Sequence, residues 1–94
     1  SDDPPATNMC RHKALILKAL LNRLNIEANL VTGTIKGDDN TPGSHVWVYV
    51  PSLEKMADPM NNIFLPTKEY IKLTDAKIEF GILHYAKELS AVAR

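Results

Sequence analysis

Residues 45–50 read His-Val-Trp-Val-Tyr-Val, and this stretch decides the fold. In a strand, successive side chains alternate between the two faces of the sheet, so His45, Trp47 and Tyr49 share one face and three valines share the other. Both faces are apolar, so we expect protein to cover the sheet on both sides. Pro51 cannot donate a backbone hydrogen bond, which predicts that the strand ends there.

Shorter strand signals lie on either side of this stretch. The loop before it, residues 36–44, contains Gly-Asp-Asp-Asn-Thr-Pro-Gly, a run dense in turn residues. A turn is also predicted at Asp58-Pro59, because Asp and Pro both favour turn conformations. Further strands are predicted at residues 29–35, 55–58 and 63–65. These strands and turns together predict an antiparallel meander.

The helical signals lie mainly at the two ends of the chain. Over residues 10–24 one apolar stripe, which begins at Cys10, predicts a helix with Asn8 as its N-cap. The polar stripe beside it is narrow, so we expect protein to surround most of this helix. A short helical turn is predicted at residues 67–71 and a second helix at residues 78–92. The order of helix, short strands and helix predicts an α+β domain with an antiparallel sheet.

The composition limits the function classes. A chain of 94 residues forms one domain, and its opening Ser-Asp-Asp-Pro-Pro resembles a linker, so we expect a single domain (1–94) cut from a longer protein. Eleven Lys and Arg balance eleven Asp and Glu, which argues against nucleic acid or anionic membranes as partners. One cysteine allows no internal disulfide, so we expect a reducing compartment or export without disulfides. We expect no cofactor.

Cys10 is the first candidate for chemistry. It lies at the start of the predicted helix, where unpaired backbone N–H groups and the helix dipole favour a thiolate, the nucleophilic form of cysteine. Its place on the apolar stripe turns it towards whatever that helix packs against. The alternative is a small core residue, because free cysteines are often buried.

His45 and Asp58 are the candidate partners of Cys10. If the face that carries His45 packs on the first helix, the imidazole can meet the sulfur and exchange its proton. Asp58 follows thirteen residues later, enough to run up one strand and return on the next, so a carboxylate there could orient the second ring nitrogen. The alternatives are a strand-edge histidine with a backbone contact and an aspartate that serves only the turn.

Other polar and aromatic residues are weaker candidates. His12 is rotated by about 200° around the helix from Cys10, and His84 fits the surface of the second predicted helix. A zinc site is not expected, because no paired Cys-x-x-Cys or His-x-x-x-His spacing is present. Trp47 and Tyr49 are expected in the core before any role in substrate binding.

At these residues the sequence resembles the transglutaminase-like (papain-like) superfamily of cysteine hydrolases and transferases. Residues 10–17 resemble the nucleophile helix of that family, residues 28–33 its next strand, Ser44-His45-Val46-Trp47-Val48 its His-x-Trp strand start, and Met56-Ala57-Asp58-Pro59 its Asp turn. The resemblance covers about residues 8–60. The Cys-Arg-His variant at residues 10–12 is also similar to the EDR1-type domain found beside plant kinases and in some armadillo proteins.

The resemblance implies a function as well as a fold. It implies a nucleophile helix packed on an antiparallel sheet and acyl transfer to or from protein or peptide amides by Cys10, His45 and Asp58, as proteolysis, deamidation or transamidation. In papain-like relatives a residue upstream of the nucleophile completes the oxyanion hole. Here Asn8 is the candidate for that role, with Trp47 as a second candidate for substrate binding.

Two functions stay open at this point. One is a cysteine-dependent acyl-transfer enzyme acting in the cytoplasm, or secreted into a host cytoplasm as an effector domain. The other is a binding or regulatory module that keeps the same scaffold with a vestigial triad.

Overall fold

A computed structural model describes residues 6–37 and 41–80, with side chains for residues 9–37 and 41–79. This part of the chain forms two α-helices and one five-stranded antiparallel sheet in the order β4-β3-β2-β1-β5, with a short 3-10 turn after β2. The elements are α1 (Ala6–Arg23), β1 (Asn29–Lys36), β2 (Pro42–Val50), β3 (Lys55–Asp58), β4 (Ile63–Pro66), α2 (Thr67–Thr74) and β5 (Lys77–Phe80). The predicted α+β class is confirmed.

The central strand β2 is covered unequally along its two edges. Along one edge it pairs with β1 over its whole length, with Gly33 opposite His45. Along the other edge β3 pairs only with Val48, Tyr49 and Val50. His45 therefore lies beyond the end of β3, where no strand of the described residues covers that edge of β2.

The two faces of the sheet carry different layers. On one face Ala14, Val48 and Val50 form an aliphatic cluster with Leu17 and Leu21 at its border. On the other face the clustered residues are mainly aromatic and sulfur-containing: Val31, Trp47, Tyr49, Met56, Tyr70 and Ala76. Helix α1 thus packs on the valine face and α2 on the Trp47 face, so the face that carries His45 does not pack on the first helix.

Helix α1 extends further than the apolar stripe predicted. It begins at Ala6, so Asn8 lies within its first turn and the predicted N-cap at Asn8 is wrong. Cys10 is the fifth residue of the helix, just behind the four N–H groups that a helix leaves unpaired. The helix ends beside Asn25, whose φ of 62° is left-handed, and the Ile26 N–H donates to the Leu21 carbonyl at 2.9 Å.

The largest difference from the sequence prediction is β5. A helix was predicted from residue 78, but Lys77–Phe80 is a strand paired with β1; the rest of that predicted helix lies outside the described residues. β5 approaches β1 very closely at Gly33, where a Cβ atom would lie 2.2 Å from the Lys77 carbonyl oxygen. The helical pattern of apolar residues from residue 78 could not indicate this strand pairing, because the close approach depends on the absence of a side chain at Gly33.

The remaining predicted elements match closely. The strands predicted near residues 29, 55 and 63 are present, β2 starts three residues earlier than predicted, and the predicted helical turn is the longer helix α2. Among the described helices none is long and apolar enough to cross a membrane.

Candidate functional site

The site is centred on a buried pair between His45 and Asp58. The Nε2 atom of His45 lies 2.8 Å from Oδ2 of Asp58. Both side chains are buried, at 7% and 0% exposure. They lie on the same face of the sheet, because Tyr49 is paired with Met56 and side chains alternate along each strand. His45 therefore shares the face of Tyr49, and Asp58 shares the face of Met56. The predicted proximity of His45 and Asp58 is therefore present.

Asp58 serves the turn as well as the histidine. The backbone N–H of Asn61 donates to the Asp58 carbonyl at 3.2 Å and lies 3.4 Å from its Oδ1, which closes the turn after β3. The side chain of Asn61 donates from Nδ2 to Oδ2 at 2.9 Å. Asp58 thus has both roles weighed from the sequence: its backbone carbonyl and Oδ1 close the turn, and its Oδ2 contacts His45 and the Asn61 side chain.

Tyr70 of helix α2 supplies a further donor. Its hydroxyl donates to Oδ2 of Asp58 at 2.7 Å, so this oxygen is approached by Tyr70, Asn61 and His45. Burial first, then the hydrogen bond to Asp58 and the charges of Asp58 and Cys10, raise the pKa of Tyr70 far above its ordinary value. The hydroxyl therefore stays protonated and remains a donor.

The donors around Asp58 keep it ionised. Burial alone raises the pKa of Asp58, but the hydrogen bonds from His45, Tyr70 and Asn61 outweigh it, and the net pKa lies below the ordinary value. An ionised Asp58 accepts from Nε2–H of His45. In that tautomer Nδ2 of Asn61, 3.3 Å from the same nitrogen, has no acceptor there and donates to Asp58 alone.

The ring of Trp47 stacks against the ring of His45. The rings of His45 and Trp47 stack with centroids 5.7 Å apart and planes inclined by 24°. The indole N–H donates to the sulfur of Met56 at 3.3 Å, so the ring is fixed in the core. Trp47 has no exposed surface. The core position expected for Trp47 is therefore confirmed, and its ring presents no open surface to a substrate.

Cys10 reaches the same place from the other layer. Its side chain is 2% exposed and continues the buried stripe of α1 through Ala14. Cys10 and His45 together line two clefts, one of about 320 Å³ that extends to Gly43 and Asn61 and one of about 280 Å³ that extends to Thr32 and Glu79. Cys10 and His45 therefore border the same two clefts, although they come from opposite layers of the domain.

A cavity of about 330 Å³ lies elsewhere, between α1 and the β3–β4 edge. Its walls are mostly apolar, from residues such as Leu17, Leu21 and Phe64. It touches Asp58 but neither Cys10 nor His45, so it is separate from the two clefts that those residues line.

The other candidates have different outcomes. His12 is exposed on α1, on the far side from Cys10, as its spacing predicted. His84 and the side chain of Asn8 lie outside the described residues. No three His, Cys, Asp or Glu side chains in the described part of the chain are grouped so that they could hold a metal ion.

Sequence reasoning missed Asn61 and Tyr70. Asn61 lies three residues after Asp58, the spacing at which an Asp side chain meets a turn N–H, so a local signal existed. Tyr70 had no such signal, because it reaches Asp58 only through the packing of α2 against the Trp47 face.

Comparisons with family models, with curated proteins and with solved structures gave no match to this chain.

Proposed function

We propose that this domain is a cysteine-dependent acyl-transfer enzyme in which Cys10 is the nucleophile, His45 the general acid–base and Asp58 the residue that orients His45. The observation that carries the proposal is the buried 2.8 Å pair between His45 and Asp58 beside two clefts that His45 shares with Cys10. The resemblance of residues 8–60 to transglutaminase-like domains supports the same residues. The substrate is a protein or peptide amide.

In this proposal the two ring nitrogens of His45 have different roles. Nε2 of His45 faces Asp58, so Nδ1 on the other side of the ring is the nitrogen that exchanges a proton with Cys10. Asp58 stabilises the imidazolium that forms and holds the ring in one orientation. Stacking on Trp47 also restricts rotation of the His45 ring.

The reaction then has two steps. The Cys10 sulfur, after giving its proton to Nδ1, attacks the amide carbonyl, so that a C–S bond forms and the C–N bond breaks as Nδ1 returns the proton to the leaving amine. Water or a second amine then attacks the thioester, gives its proton to Nδ1 and releases the acyl product. The Cys10 sulfur leaves as thiolate and is reprotonated by the ring.

One observation favours a second candidate, a binding module with the same side chains and no turnover. Cys10 is 2% exposed, a degree of burial that also suits a core cysteine. In such a module the thiol would react with alkylating reagents no faster than a model thiol.

The test is turnover of an activated acyl substrate by the purified domain. We expect hydrolysis of a p-nitrophenyl ester with a burst as Cys10 is acylated, complete loss of turnover in Cys10→Ala, and a large loss in His45→Gln. His12→Gln is the matched control, because this exposed histidine lies on the far side of α1 and should leave turnover unchanged. Turnover that survives Cys10→Ala would contradict the proposal, and alkylation of Cys10 at pH 6 no faster than a model thiol would favour the binding module.

A further inference from the structure

One buried hydroxyl in the cleft that Cys10 lines has no hydrogen-bond partner among the residues that the structure describes. The Oγ1 atom of Thr32 is screened from water and makes no hydrogen bond to any described residue. Buried hydroxyls are nearly always paired, because an unpaired one loses its hydrogen bonds to water without replacement. The unpaired hydroxyl of Thr32 therefore needs an explanation, and a functional role is one.

The position of Thr32 supplies that explanation. Thr32 lies on β1, opposite Val46 of β2 and on the same face of the sheet as Val46. It lines the cleft of about 280 Å³ together with Cys10 and His45. A carbonyl group attacked by Cys10 in that cleft would therefore lie in the same space that Thr32 lines.

We propose that the hydroxyl of Thr32 donates a hydrogen bond to the oxyanion that develops when Cys10 attacks a substrate carbonyl. This inference rests on the acyl-transfer function proposed above and assigns that site an oxyanion donor. Thr32 can turn its hydroxyl to the cleft by rotation about χ1, since threonine populates more than one rotamer.

The Thr32 hydroxyl is effective as a donor because none of the described residues already accepts its hydrogen bond. A donor that already has a partner must give it up to bind the transition state, whereas Thr32 gains its hydrogen bond only when the negative charge appears. Interactions that are stronger in the transition state than in the ground state are those that raise the rate. Burial removes water that would otherwise compete for the same charge.

Acylation and alkylation of Cys10 separate this role from a structural one. Acylation by p-nitrophenyl acetate passes through an oxyanion, whereas alkylation by iodoacetamide does not. Cys10 is the only cysteine of the 94 residues, so the difference in mass gain between the wild type and Cys10→Ala reports the modification of Cys10 in both reactions. Cys10→Ala corrects for acetylation of other groups.

We expect Thr32→Val to slow acylation on the order of 100-fold, the loss typical for an oxyanion donor, and to change alkylation less than about twofold. Thr32→Ser keeps the hydroxyl and should restore most of the acylation rate. Thr34→Val is the matched control, because Thr34 lies two residues along the same face of β1 but lines neither cleft. The urea midpoint of Thr32→Val should be equal to or above that of the wild type, because the change removes an unpaired hydroxyl.

Two results would overturn the inference. Equal slowing of acylation and alkylation in Thr32→Val would show that Thr32 affects access to the thiol, and unchanged acylation beside a fast wild type would show that Thr32 has no part in the chemistry. Wild-type acylation no faster than that of a cysteine peptide would overturn the acyl-transfer proposal and this inference together. The failure of the inference alone is recognised by fast acylation of the wild type.

Discussion

The face of the sheet beneath α1 is aliphatic, whereas the face beneath α2 is aromatic and polar. Ala14 of α1 packs with Val48 and Val50, and on this face the buried hydroxyl of Thr32 makes no hydrogen bond within the described part of the chain. The other face contains Asp58 with three donors on one oxygen, set among Trp47, Tyr70 and Met56. On the α1 face, the burial of apolar side chains stabilises the fold. On the α2 face, the hydrogen bonds to Asp58 stabilise the fold in addition to apolar burial.

The candidate site lies where these two layers meet. Cys10 comes from the α1 layer, and His45 with Asp58 comes from the α2 layer, at the part of β2 that β3 leaves uncovered. In the mechanism proposed above, the nucleophile and its base would therefore come from opposite faces of the sheet and approach each other at this open strand edge. Substitutions on the two faces should accordingly separate activity from stability.

The largest expected effect is on activity, from Asp58→Asn. Asn cannot carry the charge that stabilises the imidazolium, and it favours the wrong tautomer of His45, so kcat should fall by roughly 10³- to 10⁴-fold, the loss seen for such changes in triads. The folded state should remain, because Asn also suits the turn that Asp58 closes. Steady-state kinetics and circular dichroism of the same preparation would check both statements. Near-normal kcat would reduce Asp58 to its turn role.

The next effect is on stability, from Val48→Ala beneath α1. Val48 has no exposed surface, and the loss of two buried carbon atoms together with the space left behind should lower the free energy of unfolding by about 2 kcal/mol. Turnover per folded molecule should not change. Leu24→Ala is the control, since Leu24 is 69% exposed and its loss should cost less than about 0.5 kcal/mol. Urea denaturation measures both, and a fall in kcat for Val48→Ala would contradict the separation of the faces.

A smaller stability effect is expected from Tyr70→Phe beneath α2. The change removes the 2.7 Å hydrogen bond to Asp58, and a hydrogen bond to a charged group contributes about 1.5 to 3 kcal/mol. We expect about 1.5 kcal/mol, the lower end, because Asn61 and His45 still donate to the same oxygen. A double-mutant cycle of Tyr70→Phe with Asp58→Asn should give a clear coupling energy. Additive effects would mean that the contact does not stabilise the network.

The smallest effect is on the pH dependence of stability. The folded pKa of Asp58 lies below its ordinary 3.8, so its stabilisation is present above that value and is lost as the pH falls through the folded pKa. Because burial opposes the hydrogen bonds, the contribution is modest. Between pH 6 and pH 3, Asp58→Asn should lose less free energy of unfolding than the wild type.

Asp75 provides the matched control for that titration. The hydrogen bond from Lys36, followed by the charges of Lys77 and Lys36, also lowers the pKa of Asp75, but this carboxylate lies on the exposed surface, where water and salt screen the pair. Asp75→Asn should therefore leave the pH dependence close to that of the wild type. If Asp58→Asn and Asp75→Asn changed the pH dependence of the free energy of unfolding equally, the burial of Asp58 would have no special part in that dependence.

The α+β class, the strand that carries His45 and Trp47, the buried stripe of α1 and the proximity of His45 to Asp58 could all be predicted from the sequence alone. These features follow from local periodicity and from the thirteen residues that separate the two side chains, which suffice for one strand and its return.

Only the tertiary structure decided which face α1 covers, where β5 pairs, and how Tyr70, Asn61 and Thr32 stand around the site. Both faces of β2 are apolar, so composition could not choose between them. β5 depends on the missing side chain of Gly33, and the bond from Tyr70 to Asp58 depends on how α2 packs. The vacant hydrogen bond of Thr32 is equally invisible in a sequence, because whether a hydroxyl has a partner is settled by what the fold brings near it.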